Sequence, residues 1–69
     1  MKLTWQDSED IGIELFEKFT SIAPLTVRFT DLHKMVLELS NFDDNSANSN
    51  EGILEQIQMA WYEEWQEEN

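Results

Sequence analysis

The sequence predicts a mainly α fold: a small domain of three helices with at most one or two short strands. Three observations predict it. Apolar residues recur at steps of three and four in three separate stretches. A proline-containing break and an Asp/Asn/Ser-rich loop divide those stretches. The chain has 69 residues, so residues 1–69 make a single domain, and chains of this size bury only roughly 60% of their unfolded surface.

Met1 to Trp5 is short, with Leu3 and Trp5 alternating against Lys2 and Thr4; it reads as a tail or edge strand that Trp5 fastens to the core. Asp7 or Ser8 can cap a first helix, and Glu9 and Asp10 place negative charge in its favourable first turn. Ile11, Leu15 and Phe19 then recur at four-residue steps beside Gly12 and Phe16. The spacing predicts a helix over about 8–19 with Glu9, Asp10, Glu14, Glu17 and Lys18 outward. Pro24 disfavours helical geometry at Ala23 and breaks the pattern, with Ile22 and Leu25 as anchors for the connection.

Val27 and Phe29 alternate with Arg28 and Thr30, which predicts a short extended segment. Thr30 is the expected cap of a second helix over about 31–40, with Asp31 in its first turn and Leu32, Met35, Val36 and Leu39 as its apolar stripe. Residues 42–50 read as a polar loop pinned at its start by Phe42. Ser49 or Asn50 can cap a third helix over about 51–66, with Ile53, Ile57, Ala60 and Trp61 inward, Leu54 and Trp65 widening the stripe, and Glu67, Glu68 and Asn69 fraying. Gly52 weakens the first turn of that helix by up to about 1 kcal/mol relative to alanine.

Charge narrows the function. Four Lys/Arg stand against fifteen Asp/Glu, leaving a net charge of −11. Such a field repels phosphate backbones and anionic membranes and attracts basic surfaces or cations. No helix carries the basic face a nucleic-acid reader needs. The chain has no cysteine, which excludes disulfides and thiolate metal sites. No long apolar run or signal-type start is present, so the expected setting is cytoplasmic and off the membrane.

Catalytic readings find little footing. His33 is the lone histidine, no Cys or second His can pair with it, and no Ser stands in a nucleophile-elbow setting. The carboxylates have no evident pocket to split their pKa values. The chain reads as a non-enzyme. Asp44, Ser46, Asn48 and Glu55 mimic some ligand positions of a calcium-binding EF-hand loop, but Ser49 replaces its turning glycine and Glu51 its apolar residue. Glu51 and Glu55, one turn apart, could join Asp43 and Asp44 in a weak site for a hard cation. Trp61 fits the core stripe; Tyr62 and Trp65 are candidates for a partly exposed aromatic patch.

The run Pro24-Leu25-Thr26-Val27-Arg28-Phe29-Thr30-Asp31-Leu32-His33 closely resembles the IscX (also called YfhJ) family of small acidic proteins in iron–sulphur cluster assembly. Trp5-x-Asp7-Ser8-x-x-Ile11-Gly12, Phe42-Asp43-Asp44, Ser49-Asn50-Glu51-x-Ile53-Leu54-Glu55 and Trp61 extend the resemblance through almost the whole chain. It implies a fold similar to a modified winged helix, a helix-turn-helix relative. It also implies a monomeric adaptor that docks an acidic face on the cysteine desulfurase IscS, competes there with other cluster-assembly proteins, tunes sulphur transfer and binds ferrous or ferric iron weakly. The docking candidates are Glu9, Asp10, Glu14, Glu17, Asp31, Glu38, Asp43 and Asp44; the iron candidates are Asp43, Asp44, Glu51 and Glu55. The alternative is a free-standing metal-ion carrier or buffer with no dedicated protein partner.

Overall fold

Gly12 decides how the helices meet. In the computed structural model, which describes residues 2–68, it lies in the first helix, α1 (Ser8–Lys18), pressed against the last, α3 (Glu51–Glu68). Between them in the chain comes α2 (Phe29–Leu37). Ile11 and Leu15 of α1, Leu32 and Val36 of α2, and Leu54, Ile57 and Trp61 of α3 bury the apolar stripes that their spacing predicts. Leu3, Trp5 and Leu39 complete the core from outside the helices. The mainly α, three-helix expectation holds.

Only one β contact is present among the described residues, an isolated parallel bridge between Leu3 and Phe42. The Leu3 amide donates to the Asn41 carbonyl at 2.7 Å, and the Asp43 amide donates to the Leu3 carbonyl at 2.8 Å. The N-terminal segment is therefore stitched to the loop before α3, as Leu3 and Trp5 suggest. No hairpin that could serve as a wing occurs among the described residues, so the winged half of the resemblance finds no counterpart.

Several local expectations need correction. α2 begins at Phe29, two residues early, because the Leu32 amide already donates to the Arg28 carbonyl at 2.8 Å. Arg28 is the extended cap residue and Thr30 lies inside the helix. Its other end comes early too: the Leu39 amide turns to the Val36 carbonyl, closing a tighter turn that drops Leu39 into the core. Asp7 does cap α1 by position, but its carboxylate reaches backward, accepting from the Thr4 amide at 2.9 Å. Ile22 packs against the core as expected, but Leu25 stands 55% exposed; the buried Pro24 takes its place as an anchor, in a short 3-10 turn over Pro24–Thr26. Gln58 of α3 holds that turn by donating to the Pro24 and Val27 carbonyls at 3.0 and 3.3 Å.

α3 starts where its cap chemistry places it. The Asn50 side-chain oxygen accepts from the Ile53 amide at 2.9 Å. The helix continues through Glu67 and Glu68, which were expected to fray; Met1 and Asn69, the remaining terminal expectations, lie outside the described residues.

Candidate functional site

Close helix crossing sets the geometry of the acidic face. A Cβ on Gly12 would stand 2.7 Å from the Ala60 Cβ and from the Trp61 amide nitrogen. Only glycine lets the α1 backbone approach α3 this closely. The crossing leaves a shallow groove of about 260 Å³ along one side, lined by Ser8, Glu9, Glu55, Met59, Ala60 and Glu63 with Gln56. Glu9 comes from the first turn of α1; Glu55, Met59 and Glu63 follow at four-residue steps on α3. Met59, 45% exposed, is among its lining side chains. The groove joins an apolar thioether to carboxylates from two helices.

The sequence candidates fall in three places. Glu9 lines this groove, and Asp10 and Glu17 are exposed on the same helix. Glu14 is half-buried and accepts from the Asn41 side-chain amide at 3.1 Å. Asp31 and Glu38 are exposed on or just after α2, and Asp43 pairs with Lys2 at 3.5 Å. That is the one ion pair among the described residues, so the basic side chains leave nearly all the acids uncompensated. Lys18 is turned elsewhere, toward the Glu38 carbonyl at 3.4 Å and over the Phe19 ring.

Asp44 is committed within the chain. One of its oxygens accepts from the Trp5 amide at 3.1 Å, the other from the Asn45 amide at 2.7 Å and the Asn48 side chain at 3.0 Å. These bonds, first that from Asn48 and then those from Trp5 and Asn45, hold its carboxyl below the ordinary aspartate value. The Trp5 indole N–H donates to the Asn45 carbonyl at 2.8 Å, and its ring stacks on His33 at 5.3 Å and meets Phe42 edge-on at 4.7 Å. His33 Nε2 reaches the Ser46 carbonyl at 3.0 Å. Trp5, His33 and Asp44 thus form one clasp that fastens the 42–48 loop, and the lone histidine is a fastening residue.

No group of three His, Cys, Asp or Glu able to hold a metal ion occurs among the described residues. Of the iron candidates, Asp43 faces Lys2, Asp44 serves the clasp, Glu51 is exposed at the start of α3, and Glu55 opens onto the α1–α3 groove. Glu55 of this groove is a sequence candidate for iron only, and Glu63 is not a candidate at all. Its signal was available, since Glu51, Glu55, Met59 and Glu63 keep a strict four-residue step on one helix. Tyr62 and Trp65 are half-buried and stack on each other at 6.1 Å, with Gln66 donating to the Tyr62 hydroxyl at 2.8 Å.

Comparison with known proteins agrees with the resemblance. A family model described as iron–sulphur cluster assembly matches residues 3–66. An uncharacterized protein of Pseudomonas aeruginosa is 44% identical over 64 residues, covering 93% of this chain and 97% of the relative.

Proposed function

The chain belongs to the IscX (YfhJ) family of iron–sulphur cluster assembly, and from that premise we propose that it is a non-enzymatic adaptor docking on the cysteine desulfurase IscS. The α1–α3 groove is the centre of the docking face. Glu9, Glu55 and Glu63 at its walls, with Asp10 and Glu17 alongside, meet a basic surface of the enzyme, and Met59 gives the aliphatic stems of its Lys or Arg side chains an apolar contact. One observation carries this reading: acids of two helices converge on one groove while the single ion pair among the described residues lies elsewhere, between Lys2 and Asp43. Uncompensated carboxylates repel one another, and a cationic partner relieves that repulsion.

Docking at such a face would tune sulphur transfer by controlling which other assembly proteins reach the enzyme. The working setting is the cytoplasm, consistent with no helix among the described residues being long and apolar enough to cross a membrane. Iron, ferrous or ferric, is a weak visitor to the exposed carboxylates, since hard cations held without a preformed cage keep much of their water. The free-standing carrier reading finds no preformed donor cluster among the described residues to support it. Calorimetric titration with IscS and, separately, with ferrous iron tests the choice. The proposal expects saturable binding to the enzyme in iron-free buffer; tight iron binding with no enzyme binding would reverse it.

A further inference from the structure

A second groove lies on another face of the molecule, and its chemistry is the opposite of the first. Phe29, Thr30, His33 and Lys34 of α2 face Leu54 of α3 around a depression of about 380 Å³. In a chain with fifteen acids, no Asp or Glu lines it. Phe29, His33 and Leu37 follow at four-residue steps, and Leu37, 38% exposed, continues the same stripe of α2. Lys34 stands at the rim and takes no part in the one ion pair found among the described residues.

We infer that this groove docks a short segment of a partner protein carrying a bulky apolar side chain with a carboxylate about one turn away. The apolar side chain enters between Phe29 and Leu54, and the carboxylate meets the Lys34 ammonium. His33 acts as a fixed wall, because its ring is stacked on Trp5 and its Nε2 is held at the Ser46 carbonyl. The lining itself offers a basic segment no carboxylate, the nearest acids of α2 being Asp31 and Glu38, one turn to either side of Lys34. A second copy of this chain would bring together two bodies of net charge −11, which disfavours self-association. The inference stands apart from the desulfurase reading: the acidic groove takes a basic enzyme surface, while this one takes an acidic, apolar segment, so one small domain could bridge two partners.

The test is a two-dimensional NMR titration of the 15N-labelled protein with an amphipathic helical peptide of Leu, Phe, Ala and Glu, alongside a twin peptide in which Lys replaces Glu. The expected result is shift changes centred on Thr30, Lys34 and Leu37 with the acidic peptide. Binding should fall about tenfold in Lys34→Glu, whose exposed side chain leaves the fold intact, and persist in Lys34→Arg. Three results would overturn the inference: no shifts at the groove at millimolar peptide, equal shifts with the basic twin, or concentration-dependent shifts there in the protein alone.

Discussion

Gly12 and Ala60 mark the closest approach of two helices: a Cβ on Gly12 would come within 2.7 Å of the Ala60 Cβ and 2.8 Å of the Ala60 carbonyl carbon. Both neighbours are fixed by helix backbone, so an added methyl can be housed only by pushing α1 away from α3. In an isolated helix alanine is favoured over glycine by about 1 kcal/mol. The contact should reverse that order. We predict that Gly12→Ala destabilises the domain by about 1–3 kcal/mol in urea unfolding. A stabilised variant would mean that the helices do not meet as closely as described.

The Asn50 cap gives a second stability prediction. Asn50→Ala removes the acceptor for the Ile53 amide and should cost about 1 kcal/mol, while Asn50→Asp should cost much less. Urea midpoints of the three proteins at neutral pH decide it.

Asp44 ties stability to pH. Its carboxyl is held below the ordinary value by the Asn48 side chain and the Trp5 and Asn45 amides, so the folded protein binds its proton less readily than the unfolded chain. A depressed carboxylate contributes stability in full above its unfolded value, about pH 4, and loses it as the pH falls through its folded value. Asp44→Asn cannot accept in the same way at both positions. The variant should be less stable than the parent at pH 7, and the gap should close in acid. Unfolding curves of both proteins from pH 7 to strongly acidic buffer give that difference directly; a gap independent of pH would remove the carboxylate from the clasp.

These residues also show how much was legible in the sequence. Periodicity placed all three helices, because their stripes are one-sided and regular: Ile11 and Leu15, Leu32 and Val36, Ile57 and Trp61 are all buried. Boundaries moved where the backbone closed its first turn earlier than the side chains suggest, as with Thr30, whose hydroxyl chemistry suits a cap that Arg28 occupies by position. The acidic groove was half legible. Glu9 and Glu55 were singled out, but which acids share a face depends on how α1 crosses α3, a distance set by Gly12 and invisible to one-dimensional spacing. Asp44 stands in the sequence only as a docking and iron candidate, since the bond it accepts from Trp5 joins residues far apart in the chain.

Charge reversal tests the docking face without touching the core. Glu9, Glu55 and Glu63 are on the groove and exposed, so Glu9→Lys, Glu55→Lys and Glu63→Lys combined should leave thermal stability nearly unchanged, relief of acidic repulsion offsetting the loss of the Glu9 charge in the first turn of α1. The same triple should weaken association with IscS by tenfold or more, mainly by slowing it. Asp31→Lys, on α2 and away from that groove, should have a far smaller effect.

The central claim, that carboxylates left uncompensated on α1 and α3 recognise a basic partner, is tested most directly by the salt dependence of IscS binding. Calorimetry from low to high ionic strength should show affinity for the parent protein falling steeply as salt screens the acidic groove, with a much shallower dependence for the Glu9/Glu55/Glu63 triple. Binding that is equally tight across the salt range, or equally salt-sensitive in the triple, would contradict it.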